Sequence, residues 1–131
     1  MTRYYVALKF CKVVITVVLL PNYFLTPYFP EKLHETQLSL ANLAFVNLFI
    51  SDMSQFPDVN VAYKTFFGRS PPARACVAID LPPNVNVRLD CIAFHEMSPS
   101  ERRGLHVQGL SYWAPANIGP YSQSIIVCPL H

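Results

Sequence analysis

Residues 71–94, PPARACVAIDLPPNVNVRLDCIAF, decide how the chain is read, because all the local signals in them agree. Two apolar runs, residues 73–81 and 85–94, flank Pro82, Pro83 and Asn84, a breaker cluster of the kind that reverses a strand. The pattern predicts a β-hairpin in which Leu81 faces Asn84, Arg74 stands opposite Cys91, and Cys76 stands opposite Leu89. One face then carries Cys76, Ala78, Val87, Leu89 and Cys91 as core. The other mixes Val77, Ile79 and Ile92 with Arg88 and Asp90, as on a sheet surface that is only partly covered.

Upstream of this stretch, Ser54 is placed to cap a helix over residues 55–67. Its apolar stripe is Phe56, Val59, Tyr63, Phe66 and Phe67, and Gly68 stands where a helix ends. Before it, residues 44–52 alternate Ala44, Val46, Leu48 and Ile50 with Phe45, Asn47, Phe49 and Ser51, the period of a strand. Residues 34–42 hold the helix formers Glu35, Gln37, Leu38, Leu40 and Ala41 and predict a shorter helix. Residues 12–20 read as a β-branched strand. The apolar run from Val13 to Leu20 is well short of the ~20 residues a membrane span needs. A basic start before a short apolar run also suits a signal peptide, but no small-residue cleavage site follows it. Strand, helix and hairpin in that order predict an α+β layer, two helices on one face of a mostly antiparallel sheet.

The 131 residues suffice for one domain with a real core. They are 52% hydrophobic and 14% charged, against about 25% charged in an average domain. Twelve prolines against four glycines argue for short strands and irregular joints. A net charge of +2, with basic residues scattered and one Arg102-Arg103 pair, leaves no nucleic-acid footprint. The cysteines at 11, 76, 91 and 128 show no CxxC spacing and are expected to be reduced and buried, which points to the cytoplasm. The predicted register leaves a Cys76–Cys91 disulfide open. Cys91, His95 and His106 could supply three zinc ligands, but no pair has a zinc-knuckle spacing, and no metal is expected.

The motif Pro72-Ala73-Arg74-Ala75-Cys76-Val77, with Leu81-Pro82 and Val87-Arg88-Leu89-Asp90-Cys91-Ile92-Ala93, resembles the closing segment of the Rid family, also called YjgF. Ile118-Gly119-Pro120-Tyr121-Ser122-Gln123 resembles the same family's opening segment, so the order is inverted. Residues 105–121 are similar to the linker between the tandem Rid-like domains of the long diphthine-ammonia ligases. The resemblance implies an unmatched segment at 1–30, a partial Rid-like domain at 31–94, a linker at 95–117, and the opening strand of a second Rid-like domain at 118–131. It implies a Rid-like, chorismate-mutase-like layer that is incomplete. A helix end and loop of the family pattern are missing at Asn42-Leu43, as a skipped exon would leave them. The implied role is that of a fragment or isoform of the Rid-like region of a diphthine-ammonia ligase, not catalytic alone, with ATP only in the parent protein and no cofactor in this chain. The alternative is a Rid deaminase of 2-imino or enamino acids acting as a trimer. Partners are therefore further copies of the chain or a neighbouring Rid domain, with neither nucleic acid nor membrane.

Arg74 leads the candidate residues, since a planar guanidinium beside an apolar wall suits a substrate carboxylate. The resemblance gives it that role and places Tyr121 and Cys76 at the same pocket. Arg88 occupies the position where the family's deaminases carry a glutamate that orients the hydrolytic water. A guanidinium cannot accept a proton from water. Asp90, on the same strand face, is a weaker candidate for that task. No Gly-rich phosphate loop, GxSxG or HExxH motif is present.

Overall fold

In a computed structural model of the chain, which describes residues 13–19, 28–96, 99–109, 112–113 and 115–127, four strands form one sheet. Its order is β1 (Val13–Leu19), β4 (Val87–Ala93), β2 (Leu43–Ile50) and β3 (Ala73–Ala78). Helices α1 (Tyr28–Glu35) and α2 (Phe56–Lys64) accompany it, and β5 (Arg102–Leu105) pairs with β6 (Ser124–Val127) as a separate two-stranded ribbon.

The expected hairpin does not form. β3 and β4 run in opposite directions but β2 lies between them, parallel to β3 and antiparallel to β4. Val46 therefore pairs with both Arg74 and Cys91, and Leu48 with both Cys76 and Leu89. The rungs are those the sequence predicts, with a strand inserted. The physical reason is the connector at residues 79–86, which is long enough to cross the end of β2, a gap of about 10 Å for two strand spacings. It is tied there by Ile79 N–H to the Ile50 carbonyl and Ser51 N–H to the Asn86 carbonyl, each at 3.0 Å. The turn itself is tight. Val85 N–H donates to the Pro82 carbonyl at 3.0 Å, and Asn84 takes φ 65°, a left-handed position that Asn tolerates.

The alternation expected along β2 holds from Val46 onward, whereas at its start a register shift buries Leu43 and leaves Ala44 half-buried. Val46, Leu48 and Ile50 are fully buried, as are Leu89, Cys91 and Ala93 on β4. On β3 the expected core face is less complete, for Cys76 is half-buried and Ala78 exposed. Both cysteines are free thiols, so the Cys76–Cys91 disulfide is not formed. The strand read over residues 12–20 forms as β1 and pairs with β4 from Val13 and Ala93 to Leu19 and Val87.

The first helix lies earlier than residues 34–42. Phe29 is buried and Pro30 falls in the first turn, where its missing N–H costs nothing. The helix stops when Gln37 enters the left-handed region at φ 60°. Leu38 N–H then reaches the Leu33 carbonyl and Gln37 N–H the His34 carbonyl, a Schellman closure with Leu33 and Leu38 buried together. Leu40–Asn42 continue as a 3-10 turn. The cap ahead of the second helix is Asp52 and not Ser54. Its carboxylate accepts from Ser54 N–H at 2.8 Å, and that bond lowers the Asp52 pKa. Gly68 does not close the helix by a left-handed turn, since no described glycine has positive φ and Thr65 makes the C-cap. Val59 and Tyr63 of the predicted stripe are buried, with Phe56, Phe66 and Phe67 packed on the same core. Phe29 of α1 meets Phe66 edge to face at 5.9 Å, which ties the two helical segments together.

No described helix is long and apolar enough to cross a membrane. Leu89 is fully buried in the middle of the sheet, so Leu89→Ala should destabilise the fold by about 2–5 kcal/mol in urea unfolding. Burial first, and Asp90 second, push the Cys91 thiol from 9.0 up to about 12. Above pH 9 the unfolded thiol ionises while the folded one stays protonated, so stability should fall as pH rises from 9 through 12. Urea midpoints at pH 8 and 10.5 should show that loss in the parent chain and a smaller loss in Cys91→Ala.

Candidate functional site

Arg74 is the second residue of β3, and its pairing with Val46 sets it on the helix-facing side of the sheet. There α2 supplies two ring faces. The Arg74 Cζ lies 4.7 Å from the Tyr63 ring centroid and 5.6 Å from that of Phe56. A third ring, Tyr121, stands 5.0 Å away on the C-terminal segment. Such a cage attracts a cation by the ring quadrupoles, the more so when water is partly excluded. Burial lowers the Arg74 pKa, and Tyr63, Cys76 and Tyr121 oppose that shift.

The cage leaves polar atoms unsatisfied. Arg74 Nη1, Tyr63 Oη and Asn60 Oδ1 are buried without a hydrogen-bond partner. Asn60 lies one turn before Tyr63 on α2. Buried polar groups without partners are rare in folded proteins, and Arg74 Nη1 is left able to donate to a small polar ligand. Burial raises the Tyr63 pKa in spite of the nearby Arg74, which keeps the phenol neutral and able to donate.

Tyr121 reaches this place because its segment docks on the start of β3. Ser122 forms a parallel bridge with Ala73, its N–H donates to the Pro72 carbonyl at 3.1 Å, and its Oγ donates to the Pro71 carbonyl at 2.6 Å. Gly119 approaches the guanidinium so closely that an added Cβ would stand 2.8 Å from Arg74 Nη2. Asn117 Nδ2 donates to the Tyr121 carbonyl, and the Gln123 side chain both donates to and accepts from the backbone of Val107, at 3.0 and 2.9 Å. Among the described residues the docking segment makes one bridge to the main sheet, Ser122 to Ala73. Its following strand, β6, pairs with β5, whose residues lie inside the stretch read as a linker.

Cys76 lies two residues along the same strand face as Arg74. It is half-buried, and burial raises its thiol pKa, partly offset by the Arg74 charge. Asp90 is placed elsewhere. Arg88 grips it by two bonds, Nε to Oδ1 at 3.1 Å and Nη2 to Oδ2 at 2.9 Å, and also lies over the Phe49 ring at 5.5 Å. This pair occupies the sheet face opposite Cys91 and Leu89, so one chain does not bring Asp90 to Arg74. Cys91 sits in the core while His95 is exposed, and no group of three His, Cys, Asp or Glu among the described residues is placed to hold a metal ion. Sequence reasoning placed Phe56 and Tyr63 in the core stripe, and although Asn60 and Gly119 stand in stretches that resemble the family, it gave neither a role at the site. The available signal was Asn60, a polar residue one turn from Tyr63 on an otherwise apolar helix face.

With this geometry in view, the likeness to known proteins is specific. Residues 30–95 match the family described as Endoribonuclease L-PSP. Over 85 residues the chain is 48% identical to a diphthine-ammonia ligase of Schizosaccharomyces pombe, covering 64% of this chain and 14% of that protein. Against the Saccharomyces cerevisiae diphthine-ammonia ligase it is 42% identical over 103 residues, 70% of this chain and 15% of that one. The chain thus spans about one-seventh of the length of these relatives. The fold is similar to the crystal structure of RidA from an Antarctic Psychrobacter, with a TM-score of 0.60, 16% identity and coverage of 70% and 85% of the two chains. The match over half its length, together with the shared fold, places the chain in the Endoribonuclease L-PSP family, the Rid or YjgF family.

Proposed function

We propose that the chain is a fragment or isoform of the Rid-like region of a diphthine-ammonia ligase, a module that holds small carboxylates at Arg74 and serves assembly without catalysing hydrolysis by itself. The observation that carries this reading is the split between the two faces of the sheet. On the helix side, Arg74 offers an unpaired Nη1 inside an aromatic cage. On the other side, the position that would need a proton acceptor holds Arg88, whose guanidinium is committed to Asp90. Binding and acid–base chemistry are therefore separated. A clamp without a base can hold an imino acid or a related carboxylate but does not activate water.

Cys76 borders the clamp as a neutral thiol, and Tyr121 closes it from a segment that resembles the opening of the next domain. In this reading residues 118–131 belong to that second domain, ATP belongs to the parent chain, and the amidation of diphthine is the parent's reaction in the cytoplasm. The partly covered sheet face favours self-association of the Rid type. Val77 and Ile79 there are 46% and 39% exposed, and a second copy would cover them together with Arg88 and Asp90.

Recombinant chain should hydrolyse 2-iminobutyrate, generated in the assay from an amino acid, no faster than buffer. Hydrolysis at rates that Arg74→Ala abolishes would show a working deaminase and overturn the reading. Sedimentation of the same sample should show species larger than a monomer, with Val77→Glu shifting the population toward monomer.

A further inference from the structure

We infer that residues 117–123 are a displaceable strap over Arg74, and that a small carboxylate and this strap compete for the same guanidinium. The inference rests on the reading of Arg74 as a carboxylate clamp and adds a gate to it. The strap covers the charge without satisfying it. Gly119 fills the space beside Nη2, where even a methyl group would stand 2.8 Å away, and Tyr121 lays a ring at 5.0 Å, yet Nη1 still lacks an acceptor. A carboxylate would offer two oxygens to the same fork and satisfy it.

Of the walls around Arg74, only the strap can open without dismantling the core. Phe56 and Tyr63 are held by α2, and Tyr63 is fully buried. The strap instead hangs on a short set of polar bonds, Ser122 to Pro71 and Pro72, Gln123 to Leu105 and Val107, and Asn117 to Val107, and Ile118 within it is 80% exposed. Segments fixed by few bonds and little apolar burial open most readily. A ligand that binds only the open form has its apparent affinity scaled by the open fraction, and by reciprocity it lowers the protection of the strap.

Propionate is the probe, a carboxylate with a short apolar tail to lie against the rings. Two measurements on the full chain decide the matter, binding by calorimetry and amide exchange across residues 119–123. The single tryptophan, Trp113, adds an optical readout, because Gln123 Nε2 ties its loop through the Pro115 carbonyl at 2.8 Å. Ser122→Ala removes one anchoring bond and touches no atom of the cage. Propionate should speed exchange in the strap and shift Trp113 fluorescence, Ser122→Ala should tighten propionate binding about fivefold, and Arg74→Gln should abolish it. Propionate that binds yet slows strap exchange overturns the gate and leaves the clamp standing. The same holds if Ser122→Ala loosens the strap without tightening binding. No binding to either chain overturns both the clamp and the gate. Should Ser122→Ala fail to fold, exchange in the unaltered chain with and without propionate decides alone.

Discussion

Strand β2 uses its backbone hydrogen bonds on both edges, parallel to β3 and antiparallel to β4, and the positions of the candidate side chains follow from that double pairing. Because side chains alternate with a period of two, a slip of one residue on either edge would carry Arg74 from the helix side to the opposite face. A slip of β2 and β3 together against β4 would also turn Val46, Leu48 and Ile50, all fully buried, toward solvent. The burial of three aliphatic side chains thus holds the cation in its cage. One irregularity is tolerated, a shift between Leu43 and Phe45, and it lies at the start of the strand, where the chain enters from the 3-10 turn.

Placing Arg74 among Tyr63, Phe56 and Tyr121 has a cost that the ring faces only partly offset, since burial works against the charged form. The arrangement persists because the surrounding packing is already committed. Tyr63 is held fully buried by the core and meets the Phe67 ring at a tilt of 44°, with centroids 4.8 Å apart, so its hydroxyl is kept from water. The same burial leaves Asn60 and Tyr63 with unmet hydrogen-bonding capacity. Stability and readiness for a ligand are therefore opposed at this site, as is common where polar atoms are kept buried without partners.

The alternation along β2 and the apolar stripe of α2 were legible from periodicity, the strand at Val13–Leu19 from its β-branched run, and the α+β class from the order of the elements. The hairpin was misread because a turn signal such as Pro82-Pro83-Asn84 reports a change of direction and says nothing about what lies between the two arms. Its rungs survived the error, since Arg74 and Cys91 share Val46. The first helix was placed late because Leu33, Leu38 and Leu43 reach the core through a left-handed turn at Gln37, a conformation that propensity does not assign to glutamine. Arg74 and Tyr121 came from motif likeness, and their meeting across the chain could not be read from spacing. Gly119 stands in the same motif as Tyr121, but its part in the site could not be read there, as its lack of a side chain matters only once Arg74 lies against it.

The outermost pairing of the sheet also sets the timing of its assembly. Val13 finds its partner in Ala93, so β1 leaves the ribosome long before β4 exists. At about 5–20 residues per second, an uncharged β-branched strand waits roughly 4–16 s for its partner. Pairings across so long a loop pay their closure entropy before any contact repays it, which slows folding. The core of α2, β2 and β3 is contiguous in the chain and can form meanwhile. Synthesis in the cell thus leaves a window in which β1 is exposed to chaperones and to other nascent chains, and the rate of translation through residues 20–93 governs its length.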